Sequence, residues 1–182
     1  MVEVATLESL LNESLATLLQ SHADLITTGV SERTLCARLA LELEKRLGDY
    51  GLAGTYYADV EYNRKQGGRV KTILDGQERV VAITCDLILH SRGKLIRDDN
   101  LIAIEMKKSS GSKADKESDR NRLRALTKES YDGIWSADGI TRPEHVCGYK
   151  LGLYMELDIR ARKCLLEYYR RGCLQRTAEM DF

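Results

Sequence analysis

Asn100-Leu101-Ile102-Ala103-Ile104-Glu105-Met106-Lys107-Lys108 is an apolar run that ends in charge, and it follows a second such run, Ile83-Thr84-Cys85-Asp86-Leu87-Ile88-Leu89-His90. Both have the length and aliphatic content of strands, and Arg97-Asp98-Asp99-Asn100 between them allows a hairpin. Side chains alternate along a strand, so Glu105 and Lys107 share one face while Ile104 and Met106 share the other. An unpaired charge inside an apolar sheet is costly. The charges on these strands therefore pair with one another, hold a cation, or stand at a strand end that opens into a site.

Two carboxylates and a lysine converging from neighbouring strands are the groups that metal-assisted cleavage of a phosphodiester needs. Carboxylate oxygens hold a hard cation, the cation polarises the phosphate and acidifies a water, and the lysine balances the developing charge. The competing reading is a surface hairpin in which Glu105 and Lys107 form a solvated pair and Asp86 caps a turn. Upstream, Ser31 to Leu47 reads as a helix with Leu35, Leu39, Leu43 and Leu47 on one face, and Glu32 falls near that face. Glu32 also suits a helix start on its own account, beside a Ser31 cap and with the helix dipole in its favour. Thr55 to Arg64 reads as a further strand ending in Tyr62-Asn63-Arg64.

On these residues the chain resembles the PD-(D/E)XK nuclease superfamily, whose signature is an acid on one strand and acid-x-lysine on the next. Asp86 matches the first acid, Glu105 the second and Lys107 the lysine. The resemblance implies a restriction-endonuclease-like core and a Mg2+ or Mn2+ ion held by Asp86, Glu105, Glu32 and the backbone carbonyl of Met106. It implies catalysis by Asp86, Glu105, Lys107 and Glu32, with nucleic acid as substrate and DNA favoured. Asn63, Arg64 and Lys108 would stand at the rim. From about Ser31 to Leu157 the pattern is similar to a family of small, mostly uncharacterised prokaryotic nuclease-like proteins. Cys85 stands where the superfamily has a proline before the first acid, and the insert between Arg64 and Val81 is longer.

After Lys108, Ala114 to about Ser130 reads as a charged helix with Leu123 and Leu126 inward. Its basic residues, Arg120 and Arg124 among them, would hold a phosphate backbone or simply pair with Asp115, Glu117 and Asp119 on a solvated face. Gly148 to Leu157 reads as the last strand, and Ile159 to about Arg171 as a C-terminal helix exposing Arg160, Arg162, Lys163, Arg170 and Arg171. His90 shares a strand face with Asp86, though a strand-end polar role is the commoner one. Trp135, Tyr131, Tyr168 and Tyr169 would stack bases or fill the core. Val70 to Val80 suggests a hairpin turning at Asp75-Gly76 and extending the sheet toward Asp86.

A chain of 182 residues, 43% apolar and 31% charged, is large enough to bury its own core without disulfide or metal staples. The expectation is one α/β domain over 1–182, a central mixed sheet flanked by helices. It comprises a helical extension at 1–28, a core at 31–157 and a C-terminal helix and tail at 158–182. Formal net charge is zero, so local patches decide any contact with nucleic acid. Five cysteines without a Cys-x-x-Cys pair suit a reducing cytoplasm. Glu3, Glu8 and Glu13 in an opening segment without basic residues argue against a signal peptide or a membrane partner. Leucines at helical spacing there, from Leu7 to Leu19, would pack on the core or on a second subunit, and a homodimer would suit a cutter of both strands. The rival to a nuclease is a catalytically silent nucleic-acid-binding or protein-interaction module on the same fold. A phosphatase is disfavoured by the lack of a glycine-rich phosphate loop or nucleophile elbow.

Overall fold

The apolar run at 100–108 forms the nine-residue strand β5 (Asn100–Lys108), buried over its first seven positions. This computed structural model describes residues 1–62, 84–95, 98–129 and 147–182, with the backbone alone of 72–74 and 80–82. In chain order the elements are α1 (Val4–Ser21), α2 (Ala23–Thr27), α3 (Glu32–Arg46), β1 (Tyr57–Val60), β2 (Thr72–Leu74), β3 (Val80–Ala82), β4 (Leu87–His90), β5, α4 (Lys113–Leu126), β6 (Leu151–Asp158), β7 (Lys163–Arg170) and β8 (Cys173–Asp181). This is an α/β protein. Among the described residues, N-terminal helices precede a six-stranded mixed sheet in the order β1-β4-β5-β6-β7-β8. Neighbours pair antiparallel except β5 and β6, which are parallel. A parallel pair needs a crossover connection. Here α4 lies within that connection and packs against β5, β6 and β7.

Alternation along the strands assigns the two faces. Leu87 and Leu89, Ile102, Ile104 and Met106, and the odd positions Leu151 to Leu157 enter one core with α1 and α3. Ile88, Ala103, Tyr154 and Tyr169 enter a second core with Leu123 and Leu126 of α4. Each leucine taken fully out of water contributes about 1.5–3 kcal/mol, and α1 alone buries Leu7, Leu10, Leu11, Leu15, Leu18 and Leu19. The N-terminal segment thus belongs to the main core. α3 begins as its sequence suggests: Ser31 Oγ accepts from the Thr34 N–H at the helix start. Among the described residues no helix is long and apolar enough to cross a membrane.

Two expectations are corrected. The segment expected as a C-terminal helix is the hairpin β7-β8, joined to the same sheet. Cys164, Leu166 and Tyr168 enter one core and Tyr169 the other, so this strand has no polar face. Its apolar residues also occur at three- and four-residue spacings, which imitates a helix. The turns are what decide. Asp158 Oδ1 accepts the N–H groups of Arg160 and Ala161, and Arg171 and Gly172 both take positive φ, 51° and 75°, between the paired Arg170 and Cys173. Two consecutive positive-φ residues are the two-residue hairpin geometry that matches strand twist. Secondly, β2 and β3 pair with each other in a separate two-stranded sheet and do not extend the main one. The proposed turn residues Asp75 and Gly76 lie outside the described residues.

Candidate functional site

The difference in strand length builds the site. β4 has four residues and β5 nine. Their ladder ends at Leu87↔Ile104, one position short of Asp86 and Glu105. Beyond that point β5 loses its partner, and its amide donors on that edge need acceptors. Two carboxylates take over. The Met106 N–H donates to Asp86 Oδ2 at 2.9 Å, and the Lys108 N–H donates to Glu32 Oε1 at 2.7 Å. Strand end and helix start are thereby tied together, and Asp86 and Glu32 each have a structural role.

On the α4 face, Glu105 is 0% exposed. Its Oε1 accepts from Arg122 Nη1 at 2.7 Å, while Oε2 is buried without a hydrogen-bond partner. Arg122 Nη1 also reaches Asp119 Oδ1 at 3.1 Å. Lys107 Nζ lies 3.1 Å from Asp119 Oδ2 and 3.7 Å from Glu32 Oε2. Burial pushes Glu105 up to about 8, the neighbouring Asp86 and Asp119 charges add to this, and Arg122 opposes it. Burial likewise raises Asp119, against the pull of Lys107 and Arg122. Lys107 moves up as well: burial works against its ammonium, but Asp119, Asp86 and Glu32 outweigh it.

Glu32, Asp86, Glu105 and Lys107 are therefore brought together, with Asp119 and Arg122 of α4 joining them. The sequence reading left Asp119 on a solvated face and passed over Arg122 as one basic residue among several. A signal existed: Asp119 stands four residues before the inward Leu123 and three before Arg122, which places both on or beside the buried stripe. Met106 sends its side chain into the opposite core, its Sδ 3.9 Å from Cys36 Sγ. Lys108 Nζ donates to the Gly29 carbonyl at 2.8 Å. Arg120 makes a two-nitrogen contact with Glu167 and stacks on Tyr154, while Arg124 bonds Glu117 and Asn121. These contacts hold α4 on the sheet and do not reach the carboxylate cluster. His90 Nε2 stands 3.0 Å from Asp59 Oδ2, at the other end of β4. Asn63, Arg64, Tyr131 and Trp135 lie outside the described residues.

A cleft of about 420 Å3 opens on the cluster, lined by Glu32, Lys107, Asp119 and Arg122, with Asp115 and Ser118 on its α4 side. Glu105 is sealed from this cleft, with Arg122 bonded to it. The donor chemistry fits a hard divalent cation: four carboxylates against two cations leaves a double negative charge, and Glu105 Oε2 is an orphaned buried oxygen. Lys107 and Arg122 hold these acids apart in pairs. Among the described residues no three His, Cys, Asp or Glu side chains stand together at metal-binding spacing. In comparisons with known proteins, no family model, curated protein or solved structure matches the chain.

Proposed function

We propose that this protein is a nuclease of the PD-(D/E)XK kind, with a restriction-endonuclease-like core, Mg2+ or Mn2+ as cofactor and DNA as the favoured substrate. The observation that carries the reading is the convergence of Asp86, Glu105, Lys107 and Glu32 at one end of β5, with acids in excess, beside an open cleft. The adjacency of β4 and β5 supports it too, since the signature asks for its acids on neighbouring strands.

When bound, the cation would supply Lewis acidity toward a phosphate oxygen and make a water more acidic. Glu105, Asp86 and Glu32 would hold it, with the Met106 carbonyl as a further donor. Asp86 and Glu32 are already oriented by the β5 amides, so their positions cost little further ordering. Lys107 lines the cleft with its ammonium between Glu32 and Asp119. It is placed to offset charge on a phosphate entering there and to orient the attacking water. The five cysteines are free thiols, which suits a cytoplasmic protein.

One observation favours the silent alternative, a binding or interaction module without turnover: the acids are already neutralised in pairs by Lys107 and Arg122. Cleavage of labelled single- and double-stranded DNA, and of RNA, with Mg2+ or Mn2+ separates the two. Cutting that needs metal and disappears in Lys107→Ala is the expected result. A folded protein that cuts none of these with either metal would refute the nuclease reading.

A further inference from the structure

Glu105 cannot be reached from the cleft while Arg122 stays where it is. Arg122 lines the cleft, and its Nη1 bridges two carboxylates from different elements, Glu105 on β5 and Asp119 on α4. We infer that Arg122 is the resident counter-cation of this centre, that it gives up its place to a divalent cation, and that Asp119 is a further carboxylate of the same centre. This rests on the metal-centre reading above.

The contrast with Arg120, two residues earlier on the same helix, supports the exchange. Arg120 grips Glu167 through Nε and Nη2 and lies 4.1 Å over the Tyr154 ring. That is a fork in its matching geometry, fixed from three sides. Arg122 reaches Glu105 through a single nitrogen and one carboxylate oxygen, leaving Oε2 buried and unpartnered. A guanidinium built in for stability alone would be expected to satisfy both oxygens. The half-used carboxylate is the feature that a second, smaller and more highly charged cation would complete.

Charge points the same way. Arg122 and Lys107 neutralise half of the acid charge of Glu32, Asp86, Glu105 and Asp119. A divalent ion in place of the guanidinium contacts would bring the centre close to balance with Arg122 still nearby. Arg122 can leave without undocking α4, because Leu123 and Leu126 stay in the core and Lys116–Glu156 and Arg120–Glu167 remain. Swung into the cleft, its guanidinium would face an incoming phosphate.

Titration calorimetry with Mn2+ alone tests this on the full-length protein, comparing native, Arg122→Gln, Arg122→Lys and Asp119→Asn. Removal of a competing cation should tighten Mn2+ binding by about tenfold or more in Arg122→Gln. Arg122→Lys, which keeps a charge and loses the bridging fork, should fall between that variant and native. Asp119→Asn should bind more weakly by about tenfold or more. Urea unfolding with and without Mn2+ gives a second readout: the metal should raise the midpoint of Arg122→Gln more than that of the native protein. If native binds Mn2+ and both Arg122 variants bind it equally or less tightly, the exchange is wrong and the metal centre stands. Unchanged binding in Asp119→Asn removes Asp119 from the centre. If neither native nor the Arg122 variants bind Mn2+, the metal-centre reading falls together with the exchange.

Discussion

Replacing Glu105 by glutamine keeps an acceptor for Arg122 Nη1 and abolishes the titration of a fully buried carboxyl. In the folded chain burial holds this group at about 8, against an ordinary 4.5. Below about pH 4.5 the carboxyl is protonated in both folded and unfolded chains and the two proteins should differ little. Between 4.5 and about 8 the unfolded chain releases the proton and the folded chain keeps it, so stability falls as pH rises through that window. At about 1.4 kcal/mol per decade, the native protein loses about 3 kcal/mol by pH 7 and about 5 kcal/mol above pH 8. Glutamine escapes that loss. Urea unfolding of both proteins in a chelator, at about pH 5, 7 and 8.5, measures the difference directly. The variant should be about as stable as native at the lowest pH and about 3 kcal/mol more stable at pH 7. Parallel pH profiles for the two proteins would refute the claim that a buried, neutral Glu105 sits at this centre.

Asp86→Ala leaves the Met106 N–H without its acceptor and should cost about 1–3 kcal/mol, whereas Asp86→Asn keeps an oxygen there and should stay within about 1 kcal/mol of native. Both should lose Mn2+ binding, so calorimetry beside urea unfolding separates the structural role of this side chain from its role toward a metal. Gly152→Ala would set a methyl 2.9 Å from Thr127 Cγ2 and 3.1 Å from Tyr169 Cβ, where β6 meets the C-terminal end of α4. The helix must shift, at about 1–3 kcal/mol, and because it carries Asp119 and Arg122 the Mn2+ affinity should fall with the stability.

Local pattern was enough for the elements on which the site rests. The leucine spacing and Ser31 marked α3, the aliphatic run at 100–108 marked β5, and alternation placed Glu105 opposite Met106 in face. These readings succeed because helix and strand periodicity are properties of consecutive residues. Asp86, Glu105, Lys107 and Glu32 stood out because charge in or beside apolar runs needs an explanation wherever the run ends up. The segment at 158–182 did not yield to the same reasoning. A strand covered on both faces has lost the alternation that identifies strands, and only the partners on each side say which faces are covered. Asp119 and Arg122 are the same case at the site. On the helix they are ordinary charged residues, and their burial comes from α4 being laid across the β5–β6 crossover, which pairs them with an acid and a lysine more than ten positions away in sequence. Composition and periodicity thus determined which residues carry chemistry on β5 and α3. Their ion partners were decided by the docking of α4, because pairing energy depends on distance and burial, and neither exists until the helix and the sheet meet.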